Sequence, residues 1–146
     1  MKKVLFLIVV TIGFSCLNCT LAYLEMPGKP DNIRITSGNV VLNNGLYLFH
    51  PINGGNIITI EWDEPSPTPK VYDLQYCFYN DEGDILPETI VANAYTNKTS
   101  WIIKKSDFTG NRVSMAISIK SRDWNLFGEK SSEYMNIPHI KKDTSL

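Results

Sequence analysis

Cysteine is scarce in this 146-residue chain. There are three, and two of them, Cys16 and Cys19, sit close together near the start, which leaves Cys77 without a neighbour in sequence. That excludes a small fold stapled by disulfides, so the chain has to live on its hydrophobic core. Charge of one sign is missing as well: 14 basic residues face 15 acidic ones. No basic excess supports nucleic-acid binding, and Lys104-Lys105 and Lys141-Lys142 are too short to make a patch, so they are expected as solvated surface. Long apolar runs are limited to one, Val4 to Phe14, and Ser15, Cys16, Asn18, Cys19 and Thr20 break it before the roughly 20 apolar residues a membrane helix needs. The chain has only two histidines, His50 and His139, and lacks Gly-x-Ser-x-Gly, paired-His and phosphate-cradling glycine motifs. No enzyme, cofactor or metal is expected from that inventory. Asp81, Glu82 and Asp84 crowd one turn but lack the alternating run of oxygen ligands that calcium takes.

What is present begins with a leader. Lys2 and Lys3 precede the apolar run, and Thr20-Leu21-Ala22 puts small residues where a signal peptidase cuts. A secretory signal peptide over residues 1–22 is predicted, with a secreted, extracellular product and no membrane span. Without Lys2 and Lys3, 12 basic residues face 15 acidic ones, a formal charge of −3. One domain over 23–138 and a flexible tail over 139–146 are expected.

Beyond the leader, apolar residues alternate with polar ones in short runs set off by Gly, Pro, Asn and Asp, and no helical stripe interrupts them. Ile33 and Ile35 form a first, edge-like strand behind Pro27 and Pro30. Ile58, Ile60 and Trp62 share one strand face, and Tyr72, Leu74, Tyr76 and Phe78 share another. Between them the proline-rich stretch 63–69 must be a loop. A weaker strand follows over 90–95, then one over 99–103 with Trp101 and Ile103 inward. Val113, Met115, Ile117, Ile119 and Ser121 mark a long strand, and 134–137 a last one. About seven strands of this kind make an all-β, immunoglobulin-like antiparallel sandwich. Asn43-Asn44-Gly45, between Val40-Val41-Leu42 and Leu46-Tyr47-Leu48-Phe49, signals a hairpin at 39–50, or else a lengthened and bent first strand.

Several of these pieces share a family likeness. Ile58-Thr59-Ile60-Glu61-Trp62 followed by Pro65, then Tyr72-Asp73-Leu74-Gln75-Tyr76, then Ile117-Ser118-Ile119-Lys120-Ser121 followed by Gly128 and Ser131-Ser132, resemble strands of a fibronectin type III domain. The likeness runs over about residues 27–137 and implies a non-catalytic binding module. Two features depart from it. Met115 stands where the family carries a tyrosine that ties down a corner, and 39–50 is an insertion after the first strand.

Four candidate sites follow. Asp123-Trp124-Asn125-Leu126-Phe127-Gly128 is a connection carrying large apolar residues, and Trp124, Leu126 and Phe127 are candidate contacts for a partner protein. In a sandwich that connection shares an end with the loops near 63–70 and 93–98. The hairpin offers Tyr47 and Phe49 as further contacts. Asn97-Lys98-Thr99 is an N-glycosylation sequon. Alternation points Cys77 away from the core, which suits either an intermolecular disulfide, hence a disulfide-linked homodimer, or a half-buried thiol beneath the hairpin. The resulting expectation is a secreted module that recognises an extracellular or cell-surface protein. The alternative is a secreted protease inhibitor of immunoglobulin-like fold. Arg122-Asp123-Trp124 is faintly similar to the last loop of chagasin-type inhibitors, but their Asn-Pro-Thr-Thr-Gly is absent from 63–70.

Overall fold

Alternating runs become strands where one face of each finds apolar cover. The computed structural model of the chain describes residues 25–126 and 128–143, the side chain of Asn93 excepted, so the leader expected at 1–22 lies outside them. The described residues form eleven strands and two single turns of 3-10 helix, Pro87–Thr89 and Lys105–Asp107. The strands are β1 (Asp31–Ile35), β2 (Val40–Asn43), β3 (Leu46–Phe49), β4 (Ile57–Asp63), β5 (Val71–Tyr79), β6 (Val91–Thr96), β7 (Ser100–Lys104), β8 (Ser114–Asn125), β9 (Gly128–Ser131), β10 (Met135–Asn136) and β11 (Ile140–Lys142). No α-helix occurs among them, and none of their helical turns is long and apolar enough to cross a membrane.

The architecture is a β-sandwich. One sheet has the order β1-β4-β7 and the other β2-β3-β11-β8-β5-β6. Between the sheets lie Ile58, Ile60 and Trp62 of β4, Tyr72, Leu74 and Phe78 of β5, and Met115, Ile117 and Ile119 of β8, all buried. These are the alternating residues of the sequence, because a strand with one apolar face can hide it only against another sheet. Trp62 packs edge-on to Tyr72, with ring centroids 5.0 Å apart.

Two differences from expectation have clear causes. The strand count rises partly because the last strand is broken. The twelve-residue β8 is paired along one edge by β9, β10 and β11 in turn, each antiparallel to it. The tail expected from 139 on is corrected by the third piece: Ile140 is completely buried, and β11 pairs both β8 and β3. Residues 144–146 lie outside the described residues. The insertion is a hairpin, with Val40 opposite Phe49 and Asn43 opposite Leu46. Asn44 and Gly45 turn it at φ +48° and +77°, the positive pair of a type I′ turn. Its strand β3 runs parallel to β11, the one parallel pair among the described strands. The chain reaches the hairpin by crossing from one sheet to the other at Gly38, whose φ is +99° and where a Cβ would lie 2.9 Å from the Ile57 carbonyl oxygen.

Met115 is buried where a corner tyrosine was missed, and the corner is held differently. Phe108, just past the second 3-10 turn, packs edge-on to both Phe49 (4.7 Å) and Phe78 (5.1 Å). The Val113 N–H donates to the Tyr79 carbonyl at 2.9 Å.

Burial holds three tyrosines above the ordinary value of 10. For Tyr72 it acts with the charge of Glu64, for Tyr79 with neighbouring Cys77, and for Tyr134 with the charges of Asp73 and Tyr95. The unfolded chain ionises first, so their contribution to stability is complete below pH 10 and is lost as pH rises through their folded values. A tyrosinate absorbance titration, run beside denaturant unfolding, is expected to show these groups ionising late and stability falling over that alkaline interval. Full ionisation near pH 10 with the fold intact would contradict the burial.

Candidate binding surface

The site is built on the outward face of the longer sheet, at the end where β5 begins and β6 and β8 finish. Strand alternation sends Asp73 of β5 and Lys120, Arg122 and Trp124 of β8 to this face, opposite the core residues between them. Register then brings distant residues together. Asp73 stands opposite Lys120 on β8 and Tyr95 on β6, and Trp124 stands opposite Glu129 on β9.

The result is a ladder of cations between aromatic rings. The Arg122 guanidinium lies 4.7 Å from the Tyr95 ring centroid and 5.8 Å from that of Trp124. Lys70 Nζ covers Trp124 at 5.1 Å, and Lys120 Nζ covers Tyr134 at 4.8 Å. Such contacts contribute about 0.5–1 kcal/mol each at exposed sites and more when desolvated. Asp73, only 5% exposed, sits under the ladder, 3.3 Å from Arg122 Nε and 3.9 Å from Lys120 Nζ. Burial raises the Asp73 carboxyl above its ordinary value, against the pull of Arg122 and then Lys120. Arg122 also reaches Glu129 at 3.6 Å.

This lattice fixes the β8–β9 hairpin. Arg122 to Asn125 pair with Gly128 to Ser131, so Asp123 to Asn125 belong to strand β8 and not to the longer loop expected from Asp123 onward. The Lys70 ammonium donates to the Trp124 carbonyl and lies 3.6 Å from Asp123, which joins the proline-rich loop to the hairpin base. Above this clamp Trp124 remains 41% exposed and Leu126 99% exposed. Phe127, the third candidate, lies outside the described residues. The β6–β7 turn with exposed Asn97 completes the same end, as the sequence suggested.

The hairpin candidates fare differently. Phe49 is 1% exposed and belongs to the core, so its assignment as a partner contact is corrected. Inward alternation along β3 and the Phe108 ring explain the burial. Tyr47 is half-buried against the same core, its N–H bonded to the His139 carbonyl at 2.8 Å. Lys105, expected as solvated, is 7% exposed. Its ammonium donates to the carbonyls of His50 (3.0 Å) and Asn53 and covers the Phe49 ring, tying down the segment between β3 and β4. Burial pushes its pKa down.

Cys77 is half-buried and lines a groove of about 320 Å³ with Tyr79, Ile90 and Ala116, on the outward face beside β6 and not beneath the β2–β3 hairpin. His50 accepts the N–H groups of Ile52 and Asn53, and His139 packs on Tyr79, so each ring is engaged locally. Among the described residues no three His, Cys, Asp or Glu side chains are grouped to hold a metal. The Asp81–Asp84 stretch is a turn closed by Asn80, whose Oδ1 accepts the Asp84 N–H at 2.7 Å.

No family model matches the chain, and no curated protein matches it. Its reading therefore rests on the site. The ladder itself was missed in sequence, since its members are spread from Lys70 to Tyr134. Arg122-Trp124 and Lys120 at alternate positions of one strand were the available signal.

Proposed function

We propose that this chain is a secreted, non-catalytic module of the fibronectin type III kind that recognises another extracellular protein through the β8–β9 end of its sandwich. One observation carries the reading: Leu126 is almost wholly exposed beside a half-exposed Trp124 whose backbone and ring are both clamped by Lys70. A rigid aromatic loses little side-chain freedom on binding, and such residues dominate interface energies. The placement of β1, β4 and β7 in one sheet and of β5, β6 and β8 in the other supports the family likeness, as does the buried Trp62. Export rests on the leader at 1–22.

The experiment is a pull-down from extracellular material with wild type and a Trp124→Ala, Leu126→Ala pair. Both side chains reach solvent, but Trp124→Ala also removes the ring's contacts with Lys70 and Arg122, so the pair is expected to stay folded at a slightly lower melting temperature and to recover at least tenfold less partner, about 1.4 kcal/mol or more. Equal recovery by both proteins would remove the β8–β9 end from the interface.

Glycosylation of Asn97 belongs to the same proposal. The sequon begins on the exposed β6–β7 turn, and intact-mass measurement of the secreted chain before and after enzymatic deglycosylation tests it. The two readings of Cys77 separate on electrophoresis without reductant. A band at twice the mass that collapses on reduction is the disulfide-linked homodimer, and a monomer throughout is the half-buried thiol. The inhibitor reading draws no support from the site, because Arg122 and Asp123 are engaged within the chain by Asp73, Glu129 and Lys70.

A further inference from the structure

Strand β7 is the outer strand of the three-stranded sheet: β4 pairs with one of its edges, and no described strand pairs with the other. The direction of its backbone groups follows from two bonds. The Trp62 N–H donates to the Thr99 carbonyl at 3.1 Å, and the Lys105 N–H donates to the Asn56 carbonyl at 2.9 Å. Odd-numbered residues of β7 therefore point their N–H and C=O groups at β4, and alternation turns those of Ser100, Ile102 and Lys104 to the open edge. The Lys104 N–H is taken by Asp107 Oδ2 at 3.3 Å, in agreement with that direction. Ser100 and Ile102 are left with donors and acceptors at the spacing of an extended strand.

Other sheet edges are blunted. Strand β1 has a register shift between Asp31 and Arg34, β6 meets β5 across an irregular register, and β2 has four residues. Strand β7 keeps an unbroken register with β4 over five residues. Both faces of its edge are hollowed. On the inner side a groove of about 440 Å³ opens between the sheets, floored by Tyr76, Met115 and Ile103 and flanked by Trp101. Along the strand a second, of about 270 Å³, lies beside Lys98, Ser100 and Ile102, and Ile102 is 56% exposed. The two share Trp101 and Ile102.

We infer that the β7 edge takes up an extended peptide from another protein as an added strand. The peptide's backbone pairs with Ser100 and Ile102, alternate apolar side chains enter the groove beside Trp101, and the intervening ones lie against Ile102. A helix cannot satisfy this edge, since its own backbone groups are already paired. Glu88, Lys104, Asp107 and Arg112 line the inner groove and Lys98 the outer one, so the fitting peptide is apolar at its centre and carries charges of both signs.

The test is an amide chemical-shift titration of the secreted chain with the blocked peptide Lys-Thr-Phe-Thr-Val-Thr-Glu. Saturable shifts are expected at the Ser100 and Ile102 amides and at the Trp101 indole N–H. A peptide N-methylated at the amides facing β7 is expected to bind at least tenfold more weakly. Ile102→Pro, which removes an unpaired donor at an edge, is expected to do the same while the remaining amide spectrum stays that of the folded chain. Should that variant not fold, the N-methylated peptide on wild type decides alone. Any one of three results overturns the inference: no shifts at millimolar peptide, equal binding of the N-methylated peptide, or shifts at these amides that grow with protein concentration alone. The last would assign the edge to a second copy of the chain.

Discussion

Replacing Trp62 with alanine is expected to lower the unfolding free energy by about 3–5 kcal/mol. Domains of this size have about 5–15 kcal/mol in total. Trp62 is among the largest of the completely buried side chains, and it sits at the end of a buried row with Ile58 and Ile60. Its ring meets Tyr72 edge-on from the other sheet, so the truncation opens a cavity between sheets whose backbones are held by their own ladders. Collapse around that cavity is resisted, which places the loss toward the upper part of the range. Urea unfolding checks it: the midpoint should fall with the slope unchanged. On the export proposed above, the secreted yield of the variant should fall too, because a larger unfolded fraction meets the quality-control machinery. A midpoint like that of wild type would put Trp62 outside the core and remove the sandwich placement of β4.

Phe49→Ala is expected to cost a similar amount, about 3–5 kcal/mol. Phe49 is the point where the β2–β3 hairpin enters the core. Its ring packs on Phe108, Lys105 covers it, and its carbonyl accepts the Asp143 N–H at 2.9 Å. Losing the ring therefore loosens the hairpin and the corner before β8 together. Val41→Ala on the same hairpin is the control. Val41 is largely exposed, and a change within about 0.5 kcal/mol is expected there. The pair separates two roles for the hairpin. If Phe49 served a partner and not the core, Phe49→Ala would keep the wild-type unfolding midpoint and lose partner binding instead.

How far the fold was legible depended on the length of each pattern. Strands β4, β5 and β8 are long, alternate cleanly and end in turn residues, so both their existence and their buried faces could be read. Asn44-Gly45 announced a hairpin because few residue pairs accept two successive positive φ angles. Strand β11, at three residues, is too short to show a period, and its Lys141-Lys142 looks like solvent-facing tail. Lys105 misled for the same reason: a lysine next to another lysine gives no sign that one ammonium will cap two carbonyls. The candidate site was half legible. Trp124 and Leu126 stood out as large apolar residues in a connection, whereas the clamp that stiffens them comes from Lys70, Asp73 and Tyr95 on other strands.

By itself the sequence determined that this chain makes two facing sheets, and largely which side chains go between them, because a period of two assigns every residue to a face. It does not say which strands become neighbours. That choice is made by pairing between segments far apart in the chain, and it decided the parallel seat of the hairpin on β11, the cation ladder over Asp73 and the open edge of β7. Contacts of that kind have no local signature, since each depends on a register that only the assembled sheets define.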